Sequence, residues 1–266
     1  MKVYGLQFEP KWEKKQDNFL YIKQALEKEE VEINSLIILP ETFATGFSLN
    51  TEVTTDSEPS LTKSFVRDLA VNHRSWVAGG MIERVNRQSF NRFICYSPKG
   101  ENVIEYDKIH LITSLEEDKA HSAGKKCKLC DVGPFTMCPT ICYDLRFPEL
   151  FRQGTRMGAN LFIVIACWPE VRIQHWTTLL QARAIENQAF VIGLNRTGKE
   201  PDNIYNGNSV IFDPKGKVID HLGSQTGILK GEIKVDEVDN WRKQFPAQKH
   251  KREELFLPDI NNACLN

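Results

Sequence analysis

Three residues of reactive type each stand at the margin of an apolar run: Glu41 in LIILPETF, Lys108 in VIEYDKIHLI and Cys142 in PTICYDLRF. In open α/β sheets, sites gather at the carboxyl ends of strands. A charge beside a buried strand is costly unless it is paired. Singly, each residue has a plain reading. Cys142 is a small buried hydrophobe, Glu41 caps the next element, and Lys108 lies on an edge face with its ammonium in water. Taken together, an acid, a cation and a thiol are the parts of a thiol hydrolase. The carboxylate can accept the thiol proton, and the lysine can stabilise a thiolate or a developing oxyanion. A free thiol, with a pKa of about 8.5, is only slightly ionised at neutral pH and needs such help.

Other constellations compete less well. CKLC, Cys127 to Cys130, is a Cys-x-x-Cys that could begin a zinc or redox site, with Cys138 and Cys142 as further ligands. Zinc needs all its thiolates about 2.3 Å from one ion. Cys138 and Cys142 lie four residues apart on an expected strand, which separates their Cα atoms by ~13 Å. A second Cys-x-x-Cys is missing. Redox chemistry of the thioredoxin kind would place the motif before a helix, whereas here a strand-like DVGPFTMCP follows. Ordinary thiols in a β region are the favoured reading, and a zinc- or thiol-binding protein through Cys127 and Cys130 is the alternative from a different class. The chain has no P-loop, no Gly-x-Gly-x-x-Gly, no His-Glu-x-x-His and no Gly-x-Ser-x-Gly, which removes most nucleotide and serine-hydrolase readings.

The elements that must position these residues alternate strand and helix. VYGLQF, LIILPE, WVAGGMI, TMCPTICYD, LFIVIACW and AFVIGLNRTG read as strands, several apolar throughout as expected when both faces are covered. FNRFICYSPKGENVIEYDKI reads as a hairpin turning at Pro-Lys-Gly-Glu-Asn. NSVIFDPKGKVI and TGILKGEIKV add strands. Helices are expected over 13–32, where Phe19, Ile22 and Leu26 recur at helical spacing, and over 60–72, 147–159, 169–188 and 235–245. Roughly ten strands and five helices, joined partly by helices and partly by hairpins, predict an α/β fold of mixed sheets with outer helices.

The 266 residues carry no linker, low-complexity tract or solenoid repeat, so a single domain over 1–266 is expected. A net charge of −1 supplies no field for nucleic acid or acidic membranes. The one dense basic run, QKHKREE, is diluted by its own glutamates and reads as solvated surface. No signal peptide and no membrane span are expected. Seven cysteines without a framework fit a reducing, cytoplasmic setting.

LPETF, YDKIHL and ICYDLRFPEL, in that order and at these separations, resemble the glutamate, lysine and cysteine motifs of the nitrilase (carbon–nitrogen hydrolase) superfamily. GLQFEPKWEKKQDN and HWTTLLQARAIENQAFVIGLNRTG extend the resemblance over nearly the whole chain. It implies a four-layer α-β-β-α sandwich that pairs as a homodimer, with FPELFRQG and HWTTLLQARAIENQ as candidate contact helices. It also implies Glu41 as general base, Lys108 as oxyanion stabiliser and Cys142 as nucleophile, with the Tyr143 backbone N–H as a second oxyanion donor and no metal or organic cofactor. Many members add a second glutamate; of Glu116 and Glu117, spacing to Gly124 favours Glu117, against a reading of both as surface acids. ETFATGF, CYDLRFPELFR and WPEVRIQHWTTLLQARAIENQ look most like the omega-amidase branch, which implies small 2-oxo diacid monoamides as substrates. N-carbamoyl amino acid hydrolase and nitrilase are the alternatives within the same chemistry. A carboxylate-bearing substrate needs a cation. Arg146 and Arg172 are the candidates, although Arg146 could instead pair with Asp144 or Glu149. Phe43 and Trp168 are candidate pocket walls or core aromatics. Arg183 and Glu186 are expected to pair structurally on one helix face.

Overall fold

The computed structural model describes residues 1–252. The chain begins with β1 (Lys2–Gln7), α1 (Lys15–Glu27) and β2 (Leu36–Ile38), then a short α2 (Thr51–Thr54) and β3 (Thr55–Asp56). It continues through α3 (Leu61–His73), β4 (Trp76–Val85), β5 (Gln88–Tyr96), β6 (Asn102–Asp107) and α4 (Glu117–Ala120). Next come β7 (Cys130–Val132), β8 (Phe135–Ile141), α5 (Pro148–Arg156), β9 (Leu161–Ile165), α6 (Ile173–Asn187) and β10 (Phe190–Leu194). The described part closes with β11 (Thr197–Glu200), β12 (Asn203–Asn206), β13 (Val210–Phe212), β14 (Val218–His221), β15 (Gly227–Glu232) and α7 (Val235–Gln244).

These strands form two large mixed sheets. The first runs β15-β1-β2-β4-β5-β6, with β3 beside β4; the second runs β14-β13-β10-β9-β8-β7; β11 and β12 make a separate ribbon. In each sheet the central trio is parallel, β1-β2-β4 in one and β8-β9-β10 in the other, and the pairs outside it along each strand order are antiparallel, with β4-β5, β5-β6, β7-β8 and β13-β14 as hairpins. That is the mixture the sequence predicts.

Alternation along the strands decides which sheet face meets which layer. Leu36, Ile38, Ala78, Phe93 and Cys95 face the core shared with the second sheet. Their neighbours Ile37, Leu39, Val77, Ile94 and Tyr96 face the opposite way, onto α1 and α3. Those helices answer with Phe19, Ile22 and Leu26 and with Phe65, Val66 and Leu69; Phe19 and Phe65 stack at 4.2 Å between centroids. Each such side chain, fully buried, contributes about 1.5–3 kcal/mol. On the far side, α5 and α6 cover the second sheet through Leu150, Phe151, Trp176 and Leu180. The close approach needs Gly193: a Cβ there would stand 2.3 Å from Leu180 Cδ1. The result is the four-layer α-β-β-α sandwich.

Strand number exceeds expectation because β3, β7, β11 and β12 are two to four residues long, too short for any period to show. Helix ends follow local chemistry. Ser60 caps α3 by accepting from the Lys63 N–H at 3.0 Å, and Pro148 opens α5. Arg183 pairs with Glu186 at 2.9 Å, as expected. The QKHKREE run extends beyond the described residues.

Candidate active site

The three expected reactive residues stand just beyond strands of both sheets: Glu41 after β2, Lys108 after β6 and Cys142 after β8. β8 stops at Ile141, one residue short of the cysteine that the sequence reading includes in the strand. Cys142 instead takes a left-handed backbone, φ 47°, and opens a 3₁₀ turn over Cys142–Arg146. A non-glycine residue held there stores about 1–3 kcal/mol of strain and turns its side chain sharply out of the strand direction.

What holds this turn is Asp144. Its Oδ2 accepts from the Ile141 N–H at 3.0 Å and from the Tyr106 hydroxyl at 2.7 Å. Its Oδ1 accepts from the His110 N–H at 3.0 Å and meets His110 Nδ1 at 2.8 Å. Tyr106 and His110 bracket Lys108, so one buried carboxylate registers the cysteine turn of one sheet against the lysine segment of the other. Arg146 does not pair with Asp144 or Glu149. Its guanidinium lies 4.8 Å from the Trp168 ring centroid and 3.3 Å from His175 Nδ1.

Glu41, Lys108 and Glu117 form one buried ionic cluster, all three with no exposed surface. Lys108 Nζ donates to Glu41 Oε1 at 3.2 Å and to Glu117 Oε1 and Oε2 at 2.8 and 3.0 Å. Glu117 Oε2 also accepts from the Ile112 N–H at 2.8 Å. Glu116 points outward and pairs with Lys119, so of the two acids only Glu117 joins the cluster. Asn91 Nδ2 bridges the carboxylates, at 2.7 Å from Glu41 and 3.2 Å from Glu117. The Cys167 N–H donates to Glu41 Oε2 at 2.7 Å. Each carboxylate oxygen has two lone pairs. Lys108 and Asn91 use both on Oε1; the Cys167 N–H uses one on Oε2 and leaves one. The Cys142 thiol reaches the Cys167 carbonyl at 3.9 Å, on the same residue whose N–H holds Glu41.

Burial pushes the Glu41 carboxyl above the usual carboxylate range; Lys108 opposes this and Glu117 adds to it. Burial would lower the Lys108 ammonium, but Glu41, Glu117 and the Cys142 sulfur together hold it above its ordinary value, so it stays charged. Burial, then the Glu41 charge, push the Cys142 thiol well up, with Lys108 opposing. The resting thiol is therefore neutral, with a proton acceptor beside it. This differs from a standing thiolate sustained by the lysine.

A cleft opens onto Cys142, walled by Tyr143, Arg146, Trp168, Arg172 and Tyr205 among others. Asn195 fixes Trp168 by accepting from its N–H at 2.8 Å and donating to its carbonyl at 2.9 Å. Phe43 is not part of this wall. It packs in the outer core between Phe19 and Phe65, 6.2 and 6.1 Å away. Of the two phenylalanines in ETFATGF it is Phe47 that lines the cleft, its ring 5.4 Å from Lys108 Nζ. Cys127 reaches Cys138, Sγ to Sγ 3.7 Å, rather than a ligand set with Cys142. Among the described residues no three His, Cys, Asp or Glu side chains gather as a metal site. No helix among them is long and apolar enough to cross a membrane.

The sequence of residues 4–243 matches the family model described as carbon-nitrogen hydrolase. The chain belongs to the carbon–nitrogen hydrolase family. It is 35% identical over 253 residues to a 2-oxoglutaramate amidase of Bacillus subtilis, covering 94% of this chain and 97% of the relative. It is 33% identical to the omega-amidase YafV of Yersinia enterocolitica, covering 93% and 95%. Among solved structures, XC1258 of Xanthomonas campestris, a CN-hydrolase superfamily protein with an arsenic adduct in its active site, superposes with a TM-score of 0.88 at 29% identity, covering 94% and 97%. These likenesses place the chain in the nitrilase superfamily, on an omega-amidase-like branch. This carbon–nitrogen hydrolase is an enzyme.

Proposed function

We propose that this carbon–nitrogen hydrolase is an omega-amidase, cleaving the terminal amide of 2-oxoglutaramate or 2-oxosuccinamate through Glu41, Lys108 and Cys142. The observation that carries the reading is the buried cluster in which Lys108 bridges Glu41 and Glu117 beside the neutral Cys142 thiol, at the floor of a cleft walled by two arginines. The 2-oxoglutaramate amidase and omega-amidase relatives support the substrate class.

In this mechanism the remaining lone pair of Glu41 Oε2 takes the Cys142 proton as the sulfur attacks the amide carbon. The tetrahedral oxyanion is held by Lys108 Nζ and the Tyr143 N–H. The latter lies in the first turn of a 3₁₀ segment, where N–H groups lack intrahelical acceptors. Each such donor supplies about 3 kcal/mol to the transition state. The carbon–nitrogen bond then breaks, Glu41 returns its proton to the nitrogen, and ammonia leaves a thioester on Cys142. Water, deprotonated by Glu41, attacks the thioester carbon; the acid departs and the thiol recovers its proton. Glu117 keeps Lys108 oriented and raises the proton affinity of Glu41, which suits an acid–base role near neutral pH. Arg146 and Arg172 hold the substrate carboxylate, Trp168 and Tyr143 flank its chain, and no cofactor enters any step.

The same reading takes the protein as one domain that pairs as a homodimer in the cytoplasm. Exposed apolar side chains near the α5 and α6 layer, Met157 at 50% and Ile185 at 52%, support the pairing. Ammonia release from 2-oxoglutaramate, an N-carbamoyl amino acid and a nitrile tests the specificity. The 2-oxo acid amide should be turned over at least tenfold faster than the others. Preference for the carbamoyl compound or the nitrile would replace the omega-amidase reading while leaving the thiol chemistry standing.

A further inference from the structure

Six cysteines lie among the described residues, none in a disulfide, and the chemistry above uses one. Of the rest, only Cys127 and Cys138 bring their sulfurs together, at 3.7 Å. The Cys-x-x-Cys partner Cys130 is not in this contact. We propose that Cys127 and Cys138 form an oxidative modification site, at which a hydroperoxide converts the two thiols into an intramolecular disulfide.

The two positions divide the work. Cys138 is fully buried on β8, backed by Phe162 and α5, so it cannot meet an oxidant itself. Cys127 is half-buried in the non-repetitive segment 122–129, flanked in KKCK by Lys125, Lys126 and Lys128. Of the two sulfurs, the partly exposed one is the one that an oxidant in water reaches. The hydrogen bond from Cys138 holds the Cys127 thiol below its ordinary value against the opposing effect of burial. The other thiols near it move the other way: burial pushes Cys130 up to about 12, and Cys142 and Cys95 also rise. Cys127 is therefore the sulfur that a hydroperoxide meets first.

In the first step the Cys127 thiolate attacks one peroxide oxygen and the O–O bond breaks. The sulfur becomes a sulfenic acid, and the other oxygen leaves as water or an alcohol after taking a proton. In the second step the Cys138 sulfur displaces the sulfenic hydroxyl, which departs as water with the Cys138 proton. The sulfurs must close from 3.7 Å to about 2.05 Å. Cys127 can make that shift from its segment, whereas Cys138 is fixed in the sheet.

The test is to treat the full chain with one equivalent of hydrogen peroxide, alkylate remaining thiols after denaturation, digest without reductant and map the links. The account expects a Cys127–Cys138 link, with Cys130 and Cys142 recovered alkylated, and loss of the link on adding dithiothreitol. Cys127→Ser should keep ammonia release unchanged and form no link. Cys138→Ser should leave a Cys127 sulfenic acid that dimedone captures. A Cys127–Cys130 link, oxidation of Cys142 ahead of Cys127, or a sulfinic acid at Cys127 in the wild type would overturn the proposal.

Discussion

At the scale of single residues, the site depends on a charge balance that only burial makes consequential. Glu41 and Glu117 present two carboxylates to one ammonium, away from water. Removing the cation should therefore cost more than losing an ordinary contact. Lys108→Met leaves two uncompensated buried acids and is expected to destabilise the fold by about 3–5 kcal/mol at neutral pH. The sign of its pH dependence follows from Glu41. That carboxyl already sits above its unfolded value, so the folded state binds its proton more tightly and stability falls as pH rises from the usual carboxylate range through the folded value. Without Lys108 the folded value rises further, so the window widens. Thermal melts from pH 5 to pH 8 should show the variant losing stability faster than the wild type as pH increases. Equal slopes would mean that the cluster does not couple to folding. Much at this scale was legible beforehand, because Glu41, Lys108 and Cys142 each stand out as reactive groups ending apolar runs. Asn91 and Cys167 were not. An asparagine in FNRF and a thiol in IACW look like any strand residues until their N–H groups are seen on Glu41. Phe43 and Phe47 show the opposite limit, since composition cannot say which of two nearby aromatics faces the core.

At the scale of elements, the question is how two sheets deliver their groups to one point. Strand and helix identities follow from periodicity, as in the alternation of Leu36, Ile37 and Ile38 between two cores. The junctions do not. Nothing in CYDLRF alone announces that the strand ends before Cys142, because the stop comes from Asp144 capturing the Ile141 N–H and two groups of a distant segment. Asp144 is a positioning residue: it touches neither the thiol nor the cluster, yet it joins the turn of β8 to the segment after β6. Asp144→Ala should lower kcat by at least tenfold with a smaller change in KM, while circular dichroism keeps its native shape. Asp144→Asn, which keeps one acceptor oxygen and so can still hold one of the two N–H groups, should recover part of the loss. An unchanged kcat in Asp144→Ala would show that the 3₁₀ turn holds itself. Close approach is a second device at this scale. Gly80 of β4 lies under the Glu41 loop so tightly that a Cβ there would stand 2.8 Å from Glu41 Cα, which a reading of AGGM as two glycines in a strand does not reveal.

At the scale of the whole molecule, the four layers leave α5 and α6 on an outer face, with Met157 and Ile185 exposed. The proposed homodimer places a second copy against that layer, and sedimentation equilibrium should return twice the chain mass. A monomer at micromolar concentration would remove the dimer and leave the site untouched, since every group described at the site belongs to one chain. The central claim is that the sandwich exists to bring the Cys142 sulfur to an amide carbon beside a buried base. The most direct test is acid quenching during turnover of 2-oxoglutaramate, followed by peptide mass mapping. The account predicts an acyl group, the substrate less ammonia, on the peptide bearing Cys142, and neither adduct nor ammonia with Cys142→Ala. Full ammonia release by Cys142→Ala, or an acyl group carried on another residue, would contradict it.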